Sequence, residues 1–321
     1  MSTPNVVTIV GGLGNQLFQF AFGQHLEQLT GRPTRYDLRQ FQSYRLHGGR
    51  LQVTVPFDVQ VAEARPSDLS LSGRLAGDPN LLRIFFHASR SAGRFVPIRT
   101  DYNYAAGRIG PGSPPAFFHG YWQRPDFARA TAAALRFRPE IEAAASATMA
   151  QLGLDPAVDA VVHVRRGDFL KLPNAPHLPL PENRYYAPLM RQLSDIHPRR
   201  FLVLSDDVAS LRDGPLSRFD PVFVGPDMSS SAAIDLCLMS KFGTMLLSAS
   251  SFSWWGAALN RHARPVVLAP WPWVKLSFEA DEPASAYPFE DWHLVDTRSV
   301  QVAGAPAVLP PSAMKWSGAG S

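Results

Sequence analysis

Val161-Val162-His163-Val164-Arg165-Arg166-Gly167-Asp168-Phe169 is an apolar run that leads into two arginines, a glycine and an aspartate. In an open α/β sheet, ligands gather at the carboxyl ends of the strands. Adjacent guanidinium groups at such an end offer planar, permanently charged forks that match phosphate oxygens. The stretch therefore predicts a strand of a parallel sheet whose end takes an anion, with a diphosphate expected. His163 and Arg165 are two residues apart and share a face of the strand, whereas Arg166 projects to the other. One arginine can then meet the ligand while its neighbour braces Asp168. A plainer reading is that both arginines form ion pairs at a strand end and bind nothing.

The residues that follow repeat the pattern. Phe201–Leu204, Val222–Val224, Thr244–Leu247 and Pro265–Ala269 read as strands, and Glu182–Leu193, Ser231–Ser240 and Phe252–Leu259 as helices, a succession that makes a parallel sheet with helical crossovers. The strand at 201 stops at Ser205-Asp206-Asp207, again polar at the carboxyl end. Ser248-Ala249-Ser250-Ser251 precedes the aromatic helix Phe252-Ser253-Trp254-Trp255. Hydroxyls and free amides at a helix start suit phosphate, although simple capping is the alternative for the serines and core packing the expected role of both tryptophans.

Upstream, Val6–Val10 reads as a strand, Gly11–Gln16 as a glycine-rich turn, Leu17–Thr30 as a helix and Arg35–Leu38 as a second strand. Phe117–Gly120 is a further strand, and Tyr121–Asp126 turns into a helix near Phe127. Residues 53–115 carry no readable pattern. Gly12 and Gly14 after a strand, with Asp37 ending the next, suggest dinucleotide binding. Leu17, however, stands where that fingerprint needs a small residue. A turn that displays Asn15 and Gln16 to a hydroxyl-rich ligand fits better, because amides donate and accept but cannot act as bases.

A chain of 321 residues with 45% hydrophobic content can bury the cores of about two domains. The net charge of +4 contains no run of five like charges, so nucleic acid is not an expected partner. Cys237 is the single cysteine, which rules out disulfides within the chain and predicts a buried thiol. Met1–Val10 has no basic region ahead of a long apolar core, and no uncharged apolar run reaches the roughly 18 to 20 residues of a membrane span. The expected location is the cytoplasm, with peripheral contact at the inner face of the membrane left open.

Six segments in register carry a resemblance. They are Gly11–Phe20 (GGLGNQLFQF), Gly120–Gln123 (GYWQ), His163–Asp168 (HVRRGD), Ser205–Asp207 (SDD), Asp235–Ser240 (DLCLMS) and Ser250–Ala257 (SSFSWWGA). In this order they resemble the α-1,2-fucosyltransferases of glycosyltransferase family 11, from about residue 6 to residue 295. The resemblance implies a GT-B fold, α/β with two Rossmann-like domains facing a central cleft. The expected limits are 1–153 for the acceptor-side domain and 154–298 for the nucleotide-sugar domain, with an Ala/Gly/Pro-rich tail at 299–321. It also implies inverting, metal-independent transfer of L-fucose from GDP-β-L-fucose to the 2-hydroxyl of a terminal galactose on a glycan acceptor, as in lipopolysaccharide or oligosaccharide biosynthesis. No cofactor is expected beyond the GDP-fucose donor.

Carried over by position, Arg165 resembles the arginine that neutralises the donor diphosphate, with His163 beside it. Ser250, Ser251 and Phe252 match the phosphate-gripping segment, Asp235 a contact to guanine, and Asn15 the asparagine that faces the transferred sugar. The donor set is completed by Arg166, Asp168, Ser205 and Asp206. Where relatives usually carry Asn, this chain has Ala249.

The chemistry of the residues agrees with a metal-free transfer. Negative charge builds on the leaving phosphate, and metal-dependent enzymes meet it with an Asp-x-Asp pair. The nearest imitation, Glu279-Ala280-Asp281, lies in a proline-rich stretch, and Asp206 and Asp207 are adjacent and would diverge. Inversion needs a base for the acceptor hydroxyl, and Asp37, at the end of its strand, is the candidate, a solvated loop carboxylate being the alternative. Rivals from other classes are a transferase using another nucleotide sugar, an NAD-dependent oxidoreductase using Gly12, Gly14 and Asp37, and a non-catalytic glycan-binding protein using Tyr121, Trp122, Trp271 and Trp273.

Overall fold

The computed structural model describes residues 3–43, 48–69, 71–75, 81, 98–100, 109–167, 170, 180–197, 199–225, 231–271, 273, 289, 291–297 and 308–309. The chain divides into two compact units, Met1–Arg136 and Phe137–Ser321. The division precedes the expected limit at 153/154, because the helix Pro139–Gln151 belongs to the second unit. There Glu142 of that helix pairs with Lys241.

The first unit holds four parallel strands, β1 (Asn5–Thr8), β2 (Thr34–Asp37), β3 (Ile98–Thr100) and β4 (Phe117–His119), in the order β2-β1-β4-β3. Helix α1 (Leu13–Thr30) connects β1 to β2. It begins four residues before the sequence predicts, so Gly14, Asn15 and Gln16 form its first turn and only Gly11 and Gly12 make the bend. Gly11 has φ +91°, a conformation that a side chain would strain. Helix α1 ends at Gly31, whose amide bonds to the Glu27 carbonyl in a left-handed cap. Phe22 stacks on Trp122 at 3.9 Å and meets Phe118 edge-on, which welds α1 to β4 and the turn after it.

Two buried glutamines of α1 complete this frame. Gln19 accepts from the Val10 amide at 2.9 Å and donates to the Gly120 carbonyl at 2.9 Å, tying together the segments that leave β1 and β4. Gln16, fully buried, donates to the carbonyls of Gly11 and Arg50 and accepts from the Gln52 amide at 2.7 Å. Gln16 is therefore a structural bracket and not a side chain displayed to a ligand.

The second unit holds β5 (Ala160–Val164), β6 (Phe201–Ser205), β7 (Val222–Val224), β8 (Thr244–Leu246), β9 (Val266–Trp271), β10 (His293–Asp296) and β11 (Val308–Leu309). Their order is β11-β10-β9-β8-β5-β6-β7, parallel except for the antiparallel pair β10/β11. Val308–Leu309 of the Ala/Gly/Pro-rich tail thus adds an edge strand. Strands β5 and β6 are buried at every position, as parallel strands covered on both faces should be. The expected helix at Glu182 opens with a π turn, Glu182–Tyr186, before α-helical Ala187–Ile196. Helices Ala232–Ser240 and Ser251–Ala258 match their predicted positions to within a residue, and Cys237, Trp254 and Trp255 are all at 0% exposure in the core. No helix among the described residues is long and apolar enough to cross a membrane.

Gln16→Leu keeps the helix but removes three hydrogen bonds and leaves the Gly11 and Arg50 carbonyls and the Gln52 amide unpaired. Unpaired buried polar groups cost about 1–3 kcal/mol each, so we expect a loss of roughly 2–4 kcal/mol after relaxation, read from the urea midpoint. An unchanged midpoint would contradict the bracket.

Candidate active site

The chain passes β5, β6 and β7 in one direction and then returns to place β8 on the other side of β5. The sheet's reversal of order therefore lies between β5 and β8, the place where open α/β sheets bind ligands. His163 of β5 spans it, 5% exposed, with Nδ1 2.7 Å from the Ser248 hydroxyl. Ser253 donates to the carbonyls of Ser248 and Ser250, and Ser250 caps the Phe252 amide at 3.3 Å. The Phe252 ring lies 5.4 Å from the imidazole. One network thus fastens the start of helix Ser251–Ala258 to the end of β5. Ser251, the first helical residue, makes no side-chain hydrogen bond among the described residues and keeps partial exposure. Ala249 is fully buried, and Ser248 and Ser253 on either side of it hold the loop.

Burial, and next the charge of Arg165, push the His163 pKa down to about 3, so the imidazole is neutral at physiological pH. A neutral ring serves as a hydrogen-bonding post without adding positive charge.

Beyond β5 the two arginines are both paired. Arg165, with its side chain 18% exposed, lies 3.2 Å from Asp206 Oδ2. The other oxygen of Asp206 accepts from the Arg166 amide at 2.9 Å. A Cβ on Gly167 would stand 2.5 Å from Asp206, so glycine is required where the backbone closes over that carboxylate. Arg166 pairs with Glu182 and lies 3.7 Å from Asp207. Burial raises the Glu182 pKa against the lowering effect of Arg166, and Asp207 adds to the rise. The Ser205 hydroxyl accepts from the Asp207 amide at 3.1 Å and shapes the bend after β6.

Asp168, which the sequence pairs with one of the arginines, lies outside the described residues, as does Glu279-Ala280-Asp281. The ion-paired alternative describes the arginines, yet Arg165 is held in place without being sealed. Asp235 sits in the first turn of helix Ala232–Ser240, which starts beyond β7 at the same edge of the sheet. Sequence reasoning missed Glu182, Ser248 and Ser253, whose partners are 16 to 85 residues away or depend on helix-start geometry.

In the first unit, Asn15 is half-buried and its Oδ1 accepts from Gln123 Nε2 at 2.8 Å. Asp37, 2% exposed, receives the Arg39 guanidinium on both oxygens, at 2.8 and 2.9 Å, and the Arg39 amide at 3.1 Å. It is a buried carboxylate, not a solvated one, and both of its oxygens are engaged by Arg39. This counts against Asp37 as the base. The dinucleotide rival loses the same carboxylate, and Leu17 is fully buried where that fingerprint needs a small residue. Of the aromatics expected of a glycan-binding module, Trp122 and Trp273 are buried at 2% and 3%, whereas Tyr121 is 46% exposed.

A sheet whose order reverses beside paired arginines and a serine-lined helix start is a place suited to an anionic ligand. The sequence model described as Glycosyl transferase family 11 matches residues 99–295, and the chain belongs to that family of glycosyltransferases. It is 28% identical over 291 residues to an "Alpha-1,2-colitosyltransferase" of Escherichia coli, covering 86% of this chain and 93% of that protein. It is 33% identical over 115 residues to the "O-antigen biosynthesis glycosyltransferase WbnK" of Escherichia coli, covering 35% of this chain and 38% of that one. Among solved structures it is similar to fucosyltransferase NodZ from Bradyrhizobium, with TM-score 0.53, 16% identity and coverage of 81% and 94%. NodZ has also been crystallized with GDP and soaked with GDP-fucose. The likeness identifies the fold as α/β of the GT-B type, with two parallel sheets.

A histidine whose folded pKa is depressed takes up its proton more readily when unfolded. Stability is then present above the unfolded value near 6.5 and falls as pH drops toward the folded value. We expect the melting temperature to fall between pH 6.5 and pH 4 less steeply in His163→Gln than in the unaltered protein. Parallel melting curves would show that His163 is not buried in its neutral form.

Proposed function

We propose that the protein transfers L-fucose from GDP-β-L-fucose, with inversion, to the 2-hydroxyl of a galactose-ended glycan, without a metal ion. The observation that carries this reading is the 2.7 Å contact of His163 with Ser248, which brings the Arg165 strand end and the capped serine helix start to one place. As the bond between sugar and β-phosphate lengthens, charge grows on the phosphate oxygens. A guanidinium already oriented by Asp206 and an amide-rich helix start answer that charge without reorganising. Asp206 and Asp207 are engaged by Arg165 and Arg166, so these carboxylates serve the arginines and are not offered as a metal pair.

On this reading the donor is held by His163, Arg165, Arg166, Asp168, Ser205, Asp206, Asp235, Ser250, Ser251 and Phe252, while the Asn15–Gln123 amide pair serves sugar hydroxyls. Action in the cytoplasm, with peripheral contact at the inner membrane face, goes with it. Colitose is the second donor sugar to test, because of the 28% identity to the colitosyltransferase.

The test is incubation with GDP-fucose, or the colitose counterpart, and a panel of β-galactosides in EDTA, followed by measurement of GDP release and product linkage. Transfer that persists in EDTA and yields an α-1,2 product is expected. Transfer abolished by EDTA and restored by Mn²⁺ would refute the metal-free mechanism. Arg165→Ala should lower kcat by on the order of 10²- to 10³-fold, the scale for loss of one transition-state donor. Near-normal turnover in a folded variant would remove Arg165 from the mechanism.

A further inference from the structure

Three carboxylates meet two guanidinium groups where β5 and β6 end. Arg165 takes Asp206, while Arg166 is shared by Glu182 and, at 3.7 Å, by Asp207. Among the described residues the ion pairs therefore hold more negative than positive charge. A surplus of that sign is out of place where an anion is to be held.

Glu182 is the carboxylate furthest from water. Its side chain is 10% exposed, against 23% for Asp206 and 36% for Asp207. Its Oε1 meets Arg166 Nη1, whereas Oε2 is buried with no hydrogen-bond partner among the described residues. Oε2 lies against Gly214, where a Cβ would press into it. The Tyr186 hydroxyl, at the far end of the same π turn, is also buried without a partner. A buried carboxylate with one unpaired oxygen is costly while it is charged. Burial raises the Glu182 pKa, Arg166 from beyond β5 lowers it, and Asp207 from beyond β6 raises it again. Burial and then the charges of Asp206 and Glu182 hold the Tyr186 phenol above its usual range, with Arg166 acting the other way, so it stays protonated and offers an oxygen to a donor.

We infer that Glu182 is a positioning residue that takes up a proton from solvent when a diphosphate docks at Arg165 and Arg166, and returns it on release. This rests on the glycosyl-transfer reading above. The incoming anion adds like charge beside three carboxylates, and like charge favours the neutral form of the least hydrated one. The proton goes to Oε2. Oε1 then still accepts from Arg166 Nη1, so the guanidinium keeps its direction while Glu182 no longer cancels its charge. Asp206 stays ionised, because it serves both Arg165 and the Arg166 amide. The surplus negative charge is thus removed only while the ligand is present.

The test measures GDP-fucose binding to the full chain by calorimetry between about pH 5.5 and about pH 7.5, in paired buffers of small and large ionisation heat. The diphosphate of this ligand is esterified at both ends and does not titrate in that range. The parent should take up about one proton per ligand bound, with affinity rising as pH falls by up to about tenfold per unit. Glutamine stands for the protonated acid. Glu182→Gln should therefore bind without that uptake, and at neutral pH at least as tightly as the parent. A carboxylate that only anchors Arg166 would instead give weaker binding in this variant, which would overturn the proposal. No uptake in the parent across the range, or uptake retained in Glu182→Gln, overturns it equally. Should Glu182→Gln not fold, the infrared difference spectrum of the parent with GDP-fucose decides, a gained protonated-carboxyl band supporting the proposal and its absence overturning it. GDP-fucose bound with no proton taken up sinks the role of Glu182 alone, whereas no binding of GDP-fucose sinks the glycosyl-transfer reading with it.

Discussion

The hydrogen bond between a neutral histidine on β5 and a serine hydroxyl beyond β8 is the constraint on which the strand-end site of the second unit depends. Its two partners are 85 residues apart in the chain and meet only because the strand order reverses between them. From this bond the helix start at Ser251 is fixed against the strand end that carries Arg165. Its strength comes from burial, which keeps the imidazole uncharged and the contact dry.

Around that post the ion pairs form a graded arrangement. Asp206 serves the side chain of Arg165 and the backbone of Arg166, so one carboxylate sets both the direction of a guanidinium and the path of the chain. Arg166 is drawn inward by Glu182, on a π turn where the backbone departs from regular helix. Such turns recur at functional sites because they re-aim side chains without ending the helix. The two arginines thus take different carboxylates, Arg165 that of Asp206 and Arg166 that of Glu182, and both side chains keep partial solvent access.

Much of this was legible in the sequence because it rests on short-range patterns. Buried parallel strands read as continuous apolar runs, and β5, β6 and β7 were located closely for that reason. Helix Ser251–Ala258 announced itself through serines ahead of an aromatic run. Assignments that depend on distant partners were not legible. Gln16 looked like a ligand-facing amide, but its carbonyl and amide partners at Arg50 and Gln52 lie 34 and 36 residues on. Asp37 looked like an open carboxylate, but Arg39 and its tie to the Arg74 carbonyl close over it.

The turn after β4 is clamped on both sides of Tyr121. Gln19 holds the Gly120 carbonyl, and Trp122 is kept at φ +55° by its stacking on Phe22, a backbone conformation that a bulky residue adopts only when its surroundings compel it. Between these two clamps Tyr121 is exposed. Because these clamps are made by other residues, replacing Tyr121 changes the surface at this turn while the path of the chain persists.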